Sequence, residues 1–262
     1  MEHSTSTVPQ GRAPMSPIRK RYWIDLAIRC VIFLFCVLLW LRHPSSFDIL
    51  YGMRFFSHFS VLHLLWLVWV LDMLCQLIPA KRQIALGSQK LFQQRFQPIR
   101  EKINHQALRD YIVSTTKSAY KVMVLWVTFG AVQGLLYHLG ILSRSMMFLL
   151  SAAFYVCDLI CVLIWCPFRL MMKNRCCTTC RIFNWDHLMM FSPLVFVPGV
   201  YTYSLVAIAA AVFLLWEVQF HRHPERFWAR SNEALRCAQC TDKLCPVRIG
   251  APRRRGHTAA IK

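Results

Sequence analysis

The sequence contains few acidic residues and few glycines. Only 12 of its 262 residues are Asp or Glu, against 31 Lys or Arg, and only 9 are Gly. We find no phosphate-binding glycine loop, no nucleophile elbow and no internal repeat, so the enzyme and repeat classes that these motifs define are not indicated. Candidate functional groups therefore have to come from the cysteines, histidines and carboxylates that the chain does contain.

Apolar residues dominate the composition. The chain is 56% hydrophobic, and several runs of about 20 residues carry almost no charge, as a helix needs to cross roughly 30 Å of hydrocarbon. The first run is too long for a signal peptide and lacks a cleavage site, so it is expected to act as an anchor. We predict an all-α polytopic membrane bundle of about six transmembrane helices, at 22–41, 59–79, 122–142, 146–168, 183–197 and 200–220.

The basic residues indicate the orientation of these spans. With the N-terminus inside, 27 of the 31 Lys and Arg residues lie on one side, which predicts that both termini are cytoplasmic. The expected location is the bacterial inner membrane. Five spans would place the basic C-terminal tail outside, and Pro198 with Gly199 predicts a turn, so we interpret 183–220 as a hairpin rather than one long span. The predicted organisation is a basic tail 1–21, hairpins 22–79, 122–168 and 183–220, an amphipathic loop 80–121, a cysteine loop 169–182 and a cysteine-containing basic tail 221–262.

The net charge of +19 suggests a partner. Because the basic residues concentrate on the predicted cytoplasmic face, we interpret them as contacts to anionic lipids of the bilayer. A nucleic acid partner is not needed to explain this charge, and none is predicted.

Two cysteine clusters carry the strongest chemical signal. Cys177 and Cys180 form one C-x2-C pair and Cys237 and Cys240 form another, each with one further cysteine, Cys176 or Cys245. Such pairs present thiolates to one metal ion, and both are predicted at the cytoplasmic feet of one hairpin. Six sulfurs suit an iron-sulfur cluster or zinc, while thiol chemistry and the absence of a chemical role remain alternatives. The cysteines inside the spans, Cys30, Cys36, Cys75, Cys157 and Cys161, are interpreted as small apolar-tolerant residues.

The segment "WCPFRLMMKNRCCTTCRIFNWDH", together with "HPERFW" and "LRCAQCTDKLC", resembles a family of uncharacterised bacterial multi-pass membrane proteins with cytoplasmic cysteine clusters. That resemblance implies no activity. In its cytoplasmic Cys-Pro motifs the chain is also similar to the membrane ferredoxin-type quinol dehydrogenase components of respiratory reductases. This second similarity implies electron transfer, although their complete tandem ferredoxin motifs are absent here.

Ionisable residues within the predicted spans form a second group. Asp72 and Asp158 are predicted in the hydrocarbon zone, where a carboxylate is costly, and are assigned either to interhelical hydrogen bonds or to a proton or ion path. Asp25 is predicted to pair with Arg29 four residues on. His63 and His138 are the only depth-matched pair that could bind a b-type haem, although histidines at the outer ends of spans more often form hydrogen bonds at the interface.

The sequence as a whole predicts an integral membrane protein with a cytoplasmic cysteine-ligated metal centre. If the centre is iron-sulfur, the expected function is electron transfer between a cytoplasmic redox partner and a membrane carrier such as quinone. The alternative is a transporter or assembly scaffold in which zinc only clamps the hairpin and the intramembrane carboxylates Asp72 and Asp158 are functional.

Overall fold

The computed structural model describes residues 16–77, 93, 96–100, 102–173 and 180–236. Within these ranges the chain is helical and forms no strand. The seven α-helices are α1 (Pro17–Arg42), α2 (Leu62–Leu77), α3 (His105–His138), α4 (Arg144–Leu163), α5 (Pro167–Met171), α6 (Asp186–Phe191) and α7 (Val200–Arg222). Short 3-10 segments lie at Pro44–Leu50, Arg54–Phe56, Ile182–Asn184, Ser192–Phe196, Pro224–Phe227 and Glu233–Leu235.

Four helices, α1, α3, α4 and α7, are long and apolar enough to cross a membrane, and α2 is apolar but has only 16 residues. The outer surface of α1 carries a row of apolar side chains with about half or more of their area exposed, among them Ile24, Ile28, Val31, Leu34 and Leu38. Such a surface suits lipid rather than water. The molecule is therefore a helical membrane protein.

Local capping explains where the long helices begin. The Ser16 hydroxyl accepts from the backbone N–H of Arg19 at the start of α1, and Ser143 does the same for Met146 in α4. Asn104 caps α3, which begins at His105 and runs without a break into the predicted third span. Residues 105–121 therefore belong to this helix and not to a separate amphipathic loop. Residues 97–99 are extended, because Ile99 donates to Ser231 and Glu233 donates to Gln97.

Contacts between the helices give their directions. Leu26 and Arg29 of α1 pack against α4 residues 155–159, so these two helices are antiparallel. Tyr201 donates to the Leu62 carbonyl and Trp66 donates to Ser204, so α2 and α7 run in the same direction. Large aromatic side chains fill the space between these helices, with Trp69, Phe148, Phe191 and Tyr201 fully buried.

The predicted fifth span is a broken helix. Residues 186–191 are α-helical, 192–196 form a 3-10 helix, and the Pro193 ring lacks the N–H that a continuous α-helix needs. One end of this segment contacts Glu217 through Arg181, and the other end reaches the Gly199 turn that opens α7. The segment therefore returns along almost the whole length of α7, as the predicted hairpin requires.

Candidate functional site

A cavity of about 350 Å³ lies between α3, α4, α5 and the residues that lead into α6. It is at the end of the bundle where α4 ends. Phe129 is 44% exposed and Cys157 is also exposed, so the cavity opens between α3 and α4 on the apolar outer surface. Its apolar wall is aromatic, formed by Trp126, Phe129, Phe154, Phe168 and Phe183. Cavities of this size and composition hold small, flat apolar molecules.

The polar groups of the cavity are thiols, carboxylates and one guanidinium group. Four of the cysteines lie on its wall, and all four are free thiols: Cys157, Cys161, Cys166 and Cys180. The two carboxylates are Asp158 and Asp186, and the guanidinium group belongs to Arg169. The cavity thus combines redox-capable sulfur with groups that exchange protons.

Asp158 has a cationic partner on a neighbouring helix. The Arg29 guanidinium donates to the Asp158 carboxylate over 2.9 Å and to the Tyr155 carbonyl over 2.8 Å. It also lies 3.9 Å from the centre of the Tyr155 ring. The predicted pairing of Arg29 with Asp25 is wrong, because Arg29 turns towards α4, where the buried carboxylate needs a counter-charge more than the exposed Asp25 does.

Asp72 belongs to a second polar cluster, centred on His187. One imidazole nitrogen, Nε2, lies 3.3 Å from the Asp72 carboxylate, and the other, Nδ1, lies 2.9 Å from Asp186. A doubly protonated ring would donate to both carboxylates. The His187 side chain is only 7% exposed, so the imidazole has little access to water and its charge depends on these neighbours.

The two clusters meet at the cavity wall. Asp158 interacts electrostatically with Asp186 and with His187, and both carboxylates line the cavity. The structure therefore brings Asp72 and Asp158, which lie on different helices, into one network of charged groups that joins α1, α2, α4 and α6. Both carboxylates therefore bond to other helices, which is one of the two roles predicted for them. The same geometry is compatible with the other role, a proton path.

Cys180 is held in place by a buried ion pair beside it. The next residue, Arg181, donates to Glu217 at 2.5 Å and to the Thr116 hydroxyl, and its side chain is 5% exposed. Trp185 donates to the same carboxylate over 2.9 Å. These bonds fasten the 180–186 segment to α3 and α7, so the Cys180 thiol has a fixed position at the cavity.

Cys180 is the only predicted metal ligand within the described part of the chain. Cys176, Cys177, Cys237, Cys240 and Cys245 lie outside the described residues. Among the residues that are described, no three or more His, Cys, Asp or Glu side chains form a group that could hold a metal ion. The shared centre remains a prediction, and the described C-terminal segment ends at residue 236, directly before Cys237.

The two predicted haem ligands make local contacts. The His63 Nε2 atom lies 2.8 Å from the Phe55 carbonyl, and Nδ1 accepts from the Ser60 backbone N–H, so both ring nitrogens are engaged locally. The His138 ring packs against Tyr137 and Phe196. A haem between these two histidines stays a prediction.

Sequence reasoning missed three of the cavity's thiols. The sequence pattern gives Cys157 and Cys161 only as apolar-tolerant residues, and Cys166 only as part of the "WCPF" motif. The spacing of Cys157 and Cys161 contains a signal, because residues four apart lie on one face of a helix. Asp158, which follows Cys157 in the chain, also lines the cavity.

Fold and site together define an all-helical integral membrane protein with a thiol- and carboxylate-lined cavity. No family model, no curated protein and no solved structure matches the chain. What the protein does has to be inferred from the geometry of the site itself.

Proposed function

We propose that the protein binds a lipid-soluble redox carrier of the quinone class in the cavity and exchanges electrons and protons with it. The observation that carries this proposal is the composition of the cavity wall, in which aromatic rings, thiols and two carboxylates surround about 350 Å³ of space. A quinone ring is flat and apolar and stacks favourably on aromatic side chains. The opening towards the apolar surface suits a ligand that arrives through lipid.

The carboxylates supply what quinone chemistry requires. Reduction of a quinone to a hydroquinone takes up two electrons and two protons. Asp158 and Asp186 can deliver protons at the cavity wall, and His187 connects Asp186 to Asp72 on α2. In this proposal the ionisable residues of the membrane zone form the proton supply of the cavity.

The electrons are proposed to come from the cysteine clusters. Cys180 belongs both to the C-x2-C pair and to the cavity wall, so a centre held by the six clustered cysteines would lie near the quinone. An iron-sulfur centre would carry electrons from a cytoplasmic redox partner, whereas zinc would only fix the hairpin.

The proposal places the protein in the bacterial inner membrane with six crossings and both termini in the cytoplasm. The shared direction of α2 and α7 supports an odd number of crossings before α7, and the broken segment 186–196 supports the fifth. The basic segments would then contact anionic lipids on the cytoplasmic leaflet.

Quinone binding can be tested with a variant that fills the cavity. Cys157→Trp places a large side chain on the exposed rim of the cavity, and Leu125→Trp places the same side chain on an exposed position of α3 outside it. We expect the first variant to bind decylubiquinone at least about tenfold more weakly and the second to bind it normally. A photoreactive azidoquinone should cross-link to the peptides that contain Trp126 or Phe154. Equal affinity in both variants would contradict the proposal.

A second candidate function is proton or cation transport, and the network joining Arg29, Asp158, His187 and Asp72 is the observation that favours it. Asp72→Asn keeps a hydrogen-bonding group but removes the charge. Transport predicts that proteoliposomes carry protons without any quinone and that this variant stops the flux. The quinone function predicts no flux in the absence of the carrier.

A further inference from the structure

The cavity contains two neighbouring thiols at the end of α4. Cys161 is in the last turn of α4, and Cys166 follows the end of the helix and precedes Pro167. Both side chains line the cavity, and among the groups around Cys166 the Cys161 side chain has the largest effect on its acidity. Neither cysteine is in a disulfide. Two neighbouring free thiols within a ligand-sized cavity are suited to dithiol chemistry.

We propose that Cys161 and Cys166 form a redox-active dithiol that is oxidised to a disulfide by the quinone bound in the same cavity. This inference rests on the proposed quinone function and names an electron donor for it among the described residues. The two thiols lose two electrons and two protons as one S–S bond forms. The quinone gains those two electrons and two protons and leaves as hydroquinone.

The surroundings give the two sulfurs different roles. The pKa of Cys166 lies below its ordinary value because the Cys161 thiol, the backbone N–H groups of Arg169 and Phe168, and the Arg169 charge all favour the thiolate. Cys166 is therefore the sulfur that attacks the quinone, since the thiolate is the nucleophile. Cys161 then attacks the Cys166 sulfur, and the electron pair of the bond between sulfur and quinone passes to the ring.

Asp158 and Asp186 are placed to manage the protons of this reaction. Both carboxylates share the cavity with the thiols, so each can take a proton from sulfur and return it to a quinone oxygen. Cys75 is a free thiol on α2 that does not line the cavity, so it serves as the matched control.

The test uses the full-length protein, reduced, freed of reductant under anaerobic conditions and given one equivalent of decylubiquinone. Cleavage after Trp165 separates the two cysteines, so a disulfide appears as a cross-linked peptide pair in mass spectrometry. We expect this pair to form together with an equal amount of quinol. Cys161→Ser and Cys166→Ser should each slow quinol formation at least about tenfold, while Cys75→Ser should behave as wild type. Size-exclusion chromatography checks that each variant is folded.

The possible failures are distinguishable. If the azidoquinone labels the cavity but both thiols stay free after the quinone is consumed, the dithiol inference is wrong and the quinone function stands. If Cys75→Ser slows the reaction as much as the other two variants, the assignment of the pair is also wrong. If the cavity takes up no quinone at all, the proposed function and this inference fail together.

Discussion

The Arg29 guanidinium and the Asp158 carboxylate form an ion pair of 2.9 Å that joins α1 to α4. Their side chains are 15% and 21% exposed, and the Tyr155 ring and carbonyl complete the surroundings of the cation. Little water reaches this position, so water cannot solvate either charge in place of its partner. Each member of the pair therefore depends on the other.

Removal of one partner should cost more stability than removal of both. Arg29→Met leaves the Asp158 carboxylate without a cation, and we expect a loss of about 3 kcal/mol in the free energy of unfolding. The double variant Arg29→Met with Asp158→Leu leaves no charge behind and should recover most of that loss. Denaturant unfolding in detergent micelles is measured for wild type, for Arg29→Met and Asp158→Leu separately, and for the double variant. Additive losses in the double variant would show that the pair is not coupled.

The sequence could place Arg29 and Asp158 in the membrane but could not pair them. The sequence predicts Asp25 as the partner of Arg29 because it is four residues away in the same helix. A periodic pattern identifies only such neighbours within one helix. The actual partner lies 129 residues away and is set by the antiparallel packing of α1 on α4. The sequence also places Arg181 and Glu217 near the ends of two predicted spans. It does not show that they form an ion pair, because this contact depends on how the broken fifth segment folds back along α7.

The turn at Gly199 should tolerate no side chain. A Cβ atom at this position would overlap the Leu50 carbonyl oxygen, which is a backbone atom and cannot swing aside. The Gly52 N–H donates to the Pro198 carbonyl and the Val200 N–H donates to the Gly52 carbonyl, each at 3.0 Å. We expect Gly199→Ala to break this contact and to lower the thermal unfolding temperature by several degrees.

Gly130→Ala is the control for that prediction. Gly130 lies within α3, and an added Cβ atom would meet nothing within 4 Å. Alanine has the higher helix propensity, so this variant should be as stable as wild type or slightly more stable. A Gly199→Ala protein that unfolds at the same temperature as Gly130→Ala would mean that the turn does not hold the 50–52 segment against α7.

Most of the helix positions followed from the apolar runs, while the cavity did not. Five predicted spans each overlap one main helix, four of which are long enough to cross a membrane, because a membrane helix has a strong and local sequence signal. The cavity depends on three separate helices and on residues 180–186. The spacing of Cys157 and Cys161 puts both on one face of α4, but no local pattern shows that this face meets a cavity. Only the packing of α3 and α5 around α4 puts Cys161 on a cavity wall.

Orientation in the membrane can be tested from outside the cell. Reporter cysteines near residue 140 and near residue 250 are predicted on opposite sides, because 27 of the 31 basic residues lie on the predicted cytoplasmic side. On intact cells a membrane-impermeant maleimide should label the first reporter and leave the second at the level of the wild-type chain. After permeabilisation both should react. Equal labelling of the two reporters from outside would contradict six crossings.

The metal prediction concerns Cys177, Cys180, Cys237 and Cys240, which are proposed to ligate one centre. The Arg181–Glu217 ion pair fixes Cys180 beside α7, and α7 leads into the segment that precedes Cys237. A closed four-sulfur site couples metal affinity to the docking of these segments, so loss of one ligand should release the metal and lower thermal stability together.

Cys177→Ser and Cys237→Ser, made separately, should each lose iron or zinc by elemental analysis of anaerobically purified protein. Cys75→Ser, on α2, should keep the metal content of wild type. Full metal content in either cluster variant, or wild-type protein without iron or zinc, would exclude the shared centre and leave the dithiol of the cavity as the redox group.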